Sequence, residues 1–72
     1  MEINYYEVPN KNCTYGDEKF LTKTLSDVVP RVGELVGFEQ FGESYRVLDV
    51  SYWNSYPERG YKCSVEILVY VV

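Results

Sequence analysis

The chain reads as all-β: a small five-stranded, strongly bent barrel, or a half-open version of one. Three observations predict this. Residues 61–72, YKCSVEILVYVV, alternate strictly. They set Tyr61, Cys63, Val65, Ile67, Val69 and Val71 on one face and Lys62, Ser64, Glu66, Leu68, Tyr70 and Val72 on the other. Aromatic residues make up 17% of the chain, a content that suits pleated, half-buried surfaces better than a short helical bundle. The chain has only 72 residues, and a chain of that size buries about 60% of the surface its unfolded form exposes. Curling the sheet on itself is then the economical way to hide strand edges.

Taken in order, residues 3–8 open the chain with an extended stretch in which Ile3 and Tyr5 share one face and Tyr6 and Val8 the other. Residues 9–18, beginning with Pro9, form the longest loop-like segment. FLTKTL, residues 20–25, sets Leu21 and Leu25 against the β-branched Thr22 and Thr24 and suits a short strand. Ser26 and Asp27 have the chemistry to cap a single helical turn before Pro30.

The stretch DVVPRVGELVGF, residues 27–38, interrupts an apolar run with a proline, an arginine and two glycines. Pro30 cannot donate to a sheet ladder, so it precedes a strand or sits on an edge, and it biases Val29 towards extended geometry. Gly33 and Gly37 are expected to allow a tight bend and close backbone approach, while Val32, Leu35, Val36 and Phe38 supply apolar contacts.

ESYRVLDVSYW, residues 43–53, is rich in β-branched and aromatic residues and lies between Phe41-Gly42 and the turn-forming NSYPERG of residues 54–60. Its alternation is imperfect: Tyr45 and Val47 share one parity, Leu48, Val50 and Tyr52 the other. A bulge near Leu48 or Asp49 repairs the pattern and bends the strand as a small barrel requires. In the final strand the second face also turns apolar beyond Glu66, so its C-terminal half is expected to be covered on both sides, by a second copy or by the N-terminal segment.

No repeat, low-complexity tract or linker divides the chain, which is read as one domain over residues 1–72. Seven basic residues against eleven acidic ones leave a formal charge of −4, a field that repels phosphate backbones and anionic lipid. Lys19, Lys23, Arg31, Arg46, Arg59 and Lys62 are scattered among acids, so no basic stripe emerges and nucleic acid is disfavoured as a partner. MEINYYEV carries no basic leader region, and no apolar run reaches the roughly 18 to 20 residues that span a bilayer. The expectation is a soluble, cytoplasmic protein with no membrane partner. Cys13 and Cys63 lie far apart, with no histidine and no CxxC. A structural zinc site needs about four Cys or His ligands, so neither a metal nor another cofactor is expected, and the thiols are read as free.

VPRVGELV, then ESYRVLDVSYW, then a last strand ending in VYVV, is a pattern that resembles small uncharacterised proteins of bacteria and their phages. Those in turn resemble Src-homology-3-like barrels, with a Pro-Arg-x-Gly start, a Tyr-Arg-Val central strand and a Val-Tyr-Val end. The resemblance covers residues 28–72, which it implies form the barrel core. Residues 1–27 are then an N-terminal strand and loop extension, an arm outside the core. It implies no catalytic residues.

The residues themselves agree on that last point. Without histidine, a Ser or Cys nucleophile lacks its usual base, and neither cysteine lies in an activating sequence. Asp49 is the one acid inside an apolar strand, and pairing with Arg46 or with a bulge amide accounts for it. Gly33-x3-Gly37 followed by Phe38 fits neither the spacing nor the lysine of a phosphate-binding loop, so Arg31 is expected to pair with Glu34 or another acid. The most suggestive stretch is YWNSYP, residues 52–57, with Tyr52, Trp53 and Tyr56 at a hairpin tip; Tyr5, Tyr6 and Tyr15 form a second accessible group. Tyr and Trp offer large contact area at low rotamer-entropy cost and are enriched in interaction hot spots.

The expected function is a noncatalytic protein-binding module of phage or mobile-element origin, an accessory protein or inhibitor, that engages a protein partner through these aromatics. Two alternatives stand beside it: a barrel that stacks single-stranded nucleic acid on the same loop, and a structural homodimer formed through Leu68, Tyr70 and Val72 of the last strand. An acidic surface that mimics nucleic acid towards a basic partner is a further device such an inhibitor would use.

Overall fold

The computed structural model describes residues 1–13, 16–55 and 62–72. The strict alternation at the C-terminus becomes β5 (Cys63–Val71), and the sheet is assembled around it. β1 (Glu2–Glu7) runs parallel to β5 on one side and β4 (Glu43–Asn54) antiparallel on the other. β2 (Lys19–Leu25) adds antiparallel to β1, and β3 (Leu35–Phe38) antiparallel to β4, giving the order β2-β1-β5-β4-β3. The described residues contain no helix.

Val65, Ile67 and Val69 are 0% exposed, and Cys63 and Val71 at the two ends are more open. Around the three valine and isoleucine positions pack Ile3 and Tyr5 from β1, Phe38 from β3, and Tyr45 and Val47 from β4. The register explains the selection. Ile3 lies opposite Val65, Tyr5 opposite Ile67, and Val47 opposite Val69, so one face of the sheet feeds one core.

That core exists because the sheet curls into a half-barrel. In a flat sheet β1 and β3 are three strand spacings apart, about 14 Å. Yet the rings of Tyr5 and Phe38 meet edge to face at 4.8 Å. Past the two edges, Gln40 Nε2 donates to Thr22 Oγ1 of β2 at 3.5 Å. Two bulges supply the bend. The pairing of β4 with β5 slips between Val47 and Asp49, leaving Leu48 as the extra residue, where the broken alternation placed it. A second slip lies between Tyr5 and Tyr6, which face Thr22 and Phe20, leaving Leu21 as the extra residue of β2.

The second bulge corrects the sequence reading of β2. Thr22 and Thr24, opposite Tyr5 and Ile3, lie on the concave side, Leu21 packs partly against the core, and Leu25 is 82% exposed. The apparent pairing of Leu21 with Leu25 fails because the extra residue inverts parity between them. The expected arm is also corrected. β1 lies inside the sheet and residues 1–27 supply Ile3 and Tyr5 to the core, so no boundary exists at residue 28.

β2 and β3 occupy opposite edges, so residues 26–34 must cross the open side of the sheet, and Val29 packs against the core on the way. The helical turn expected at Ser26 is replaced by a hydroxyl-centred turn. Ser26 Oγ accepts from the Val28 amide at 3.0 Å and donates to the Val28 carbonyl at 3.1 Å, while the Ser26 amide donates to the Met1 carbonyl at 3.0 Å. Backbone pairing to β1 outcompetes a lone helical turn, whose nucleation is unfavourable.

Arg31 to Glu34 then forms a tight turn: the Glu34 amide donates to the Arg31 carbonyl at 3.1 Å, and Glu34 Oε1 accepts from the Arg31 amide at 2.6 Å. Gly33 takes φ 91°, which a side chain would resist. Its amide donates to the Val47 carbonyl at 2.9 Å, and its carbonyl accepts from Arg46 Nη1 at 2.6 Å. Gly37 makes no bend; it is an ordinary strand residue of β3 opposite Ser44. The β4–β5 hairpin is closed by the Ser55 amide donating to the Lys62 carbonyl at 2.9 Å. The turn expected at Pro57 and Gly60 lies outside the described residues.

Replacing Ile67 by alanine should therefore cost about 2–5 kcal/mol in chemical denaturation, because the rigid sheet around it cannot close the cavity. Leu25→Ala should change stability by less than about 0.5 kcal/mol; equal effects would contradict this placement of the core.

Two core tyrosines make stability depend on alkaline pH. Burial pushes the Tyr45 hydroxyl above its ordinary value of 10.0, and its bond to Glu43 Oε2 at 3.2 Å and the charges of Glu7 and Glu43 push the same way. Burial also raises Tyr5, opposed by a hydrogen bond with Thr24. The unfolded chain ionises these groups first, so their contribution is complete below about pH 10 and is lost as pH rises through the folded values. Urea midpoints followed between about pH 8 and 11.5 should fall steeply in the upper half of that range, and less steeply for Tyr45→Phe.

Candidate functional site

The six aromatics singled out by sequence do not form one surface. Tyr15 and Tyr56 lie outside the described residues. Tyr5 is 4% exposed and holds its ring against Phe38, so it is a core residue and not a partner contact. It shares the parity of Ile3, and the curl carries that parity inward. Tyr6 faces the convex side, half-buried, with its ring edge to face against Phe20 at 5.7 Å. Burial, with smaller contributions from the charges of Glu66 and Glu18, raises its hydroxyl pKa.

Tyr52 and Trp53 are both exposed, at 55% and 62%. They are successive residues of β4 and so project from opposite faces. Tyr52 continues the concave parity opposite Val65; Trp53 continues the convex parity opposite Ser64. What they share is one end of the sheet, where β1 and β5 begin and β2 and β4 finish. Met1, Leu25 and Val28 are exposed at that same end, with the Met1 carbonyl tied to the Ser26 amide. Sequence reasoning passed over these three. Their spacing along the chain carries no signal, since only the pairing of Glu2 with Leu25 brings them to the end of the sheet where β4 finishes.

On the convex face around Trp53, Ser64 is flanked by Trp53 on β4 and Glu2 on β1, and Glu66 follows two residues along β5. Opposite strand partners have Cβ atoms about 5 Å apart and diagonal ones about 7–8 Å. The indole, a small hydroxyl and two carboxylates therefore share one patch. Glu2 Oε1 is paired with Lys23 Nζ at 3.3 Å.

Other constellations are taken up by the fold. Cys13 and Cys63 are free thiols, one following β1 and one opening β5, and the parallel register puts the end of one strand far from the start of the other. Asp49 Oδ1 accepts from the Val50 amide at 3.0 Å, so the bulge backbone accounts for this acid. The amides of Arg31 and Gly33, which an anion would need, are already donated to Glu34 and Val47. Among the described residues no three or more Cys, Asp or Glu side chains converge as a metal site. A depression lined by Glu7, Val8, Pro9, Asp17 and Lys19 holds about 180 Å³, less than the roughly 300–1,000 Å³ of a small-molecule site. On the last strand Leu68 is 2% exposed, its position between Tyr6 and Asp49 already covered within the chain.

Comparison of the chain with protein-family models, with curated proteins and with solved structures finds no match in any of the three.

Proposed function

We propose that this chain is a noncatalytic protein-binding module that engages its partner through the end of the sheet carrying Tyr52 and Trp53. The observation that carries the proposal is the exposure of Trp53 on a strand whose other half is buried: a 62% exposed indole sits on the same β4 that holds Tyr45 and Val47 in the core. Leaving a large aromatic in water at a rigid strand end forgoes burial, and it is the arrangement found at interaction hot spots. Met1, Leu25, Val28 and Tyr52 are further exposed apolar groups at this end of the sheet.

In this reading the resemblance to Src-homology-3-like proteins of bacteria and phages fits an accessory protein or inhibitor that works in the cytoplasm of a bacterial host. Stacking of single-stranded bases on the same aromatics is the competing function. The carboxylates of Glu2 and Glu66 beside Trp53 weigh against it, since they repel a phosphate backbone.

Trp53→Ala should weaken partner capture from host lysate by about 2 kcal/mol or more, roughly thirtyfold, while leaving circular dichroism unchanged. Undiminished capture would overturn the assignment, as would tight, salt-sensitive binding of single-stranded oligonucleotides to the wild-type chain.

A further inference from the structure

The patch around Trp53 has a specific charge pattern. Glu66 is half-buried on the convex face in a row that runs Lys23, Asn4, Glu66, Ser51 across four strands. Its direct neighbours are uncharged. The cation of the row, Lys23, is paired with Glu2. Glu66 has no ion pair among the described residues, and Trp53 lies diagonally across from it on β4, with Ser64 and Ser51 at the other two corners. A half-buried glutamate thus stands diagonally across from an exposed indole, with no cation paired to it among the described residues.

We infer that this convex patch takes an arginine side chain from an extended segment of the protein partner, an inference that rests on the protein-binding reading above. Arginine satisfies both halves of the patch at once. Its planar guanidinium stacks on an indole face, and its fork of N–H donors matches a carboxylate edge. The formal charge of −4 adds a long-range attraction for a basic segment. Tyr52, on the opposite face, takes no part in this contact, which separates the roles of two residues adjacent in sequence.

The test uses fluorescence anisotropy of labelled, unstructured Gly/Ser peptides bearing two arginines, against the same peptides with citrulline, which keeps the shape and removes the charge. The full chain is titrated to about 1 mM as wild type, Trp53→Ala and Glu66→Gln. The arginine peptide should bind at least about tenfold more tightly than its citrulline counterpart and weaken as salt rises. Trp53→Ala should weaken it about three- to thirtyfold, and Glu66→Gln by a similar factor. Both positions are on the surface, and circular dichroism checks that both variants fold. Equal binding of the two peptides that is lost in Trp53→Ala would overturn the arginine inference and leave the binding module standing. No binding of either peptide would also overturn it, and if partner capture then also survived Trp53→Ala, the proposed function would fall with it.

Discussion

The structure depends on the burial of one strand. Val65, Ile67 and Val69 of β5 are closed to solvent by β1 and β4 on their flanks and by Phe38, Tyr45 and Val47 across the concave side. A chain of 72 residues has few other places to bury apolar surface. A flat sheet would leave that face wet, so curvature is a condition of stability in this protein and not an ornament of its shape. The bulges at Leu48 and Leu21 provide the curvature, one on each side of β5. Residues 26–34 then cross the opening, pinned by Val29 in the core, by the Gly33 amide on Val47 and by Arg46 on the Gly33 carbonyl.

Curvature also decides what is left for function. Once the concave parity is committed to the core, exposed side chains are left on parts of the convex face and at the strand ends. Aromatic content alone does not reveal this division: Tyr5, Phe38 and Tyr45 interlock inside, with ring centroids 4.8 and 5.6 Å apart, while Trp53 stays in water. The irregular Pro-Arg-x-Gly segment, which invites a phosphate-binding interpretation, is spent on the crossing. Its Arg31, Gly33 and Glu34 amides already have protein acceptors, so they are not free to cradle an anion.

The shape of the exposed end suggests division of labour between the two faces of β4. Tyr52 sits at the mouth of the concave side and Trp53 on the acidic convex side, so one rigid strand presents two chemically different contacts in opposite directions. A partner that wraps the strand end would meet both; one that lies on the sheet would meet only Trp53, Glu66 and Glu2. Both side chains stand on regular strand backbone whose register is fixed by the core.

Much of the architecture was legible in the order of residues. Strict alternation over the last strand gives its core face directly, because side chains of a strand alternate whatever its neighbours are. The change of parity in β4 located the bulge at Leu48, and Pro30 with Gly33 marked the irregular approach to β3. Local chemistry does not encode which strands become neighbours. That β1 pairs in parallel with β5, that a bulge in β2 turns Thr22 and Thr24 inward and Leu25 outward, and that Tyr5 is buried while Trp53 is exposed follow from long-range register. The sequence by itself determined the all-β class and the periodicity of its strands, since these rest on contacts between near neighbours. Tertiary structure alone decided the patch of Trp53, Glu66 and Glu2, because β1, distant in sequence, must pair alongside the β4–β5 hairpin before an indole and two carboxylates share a face.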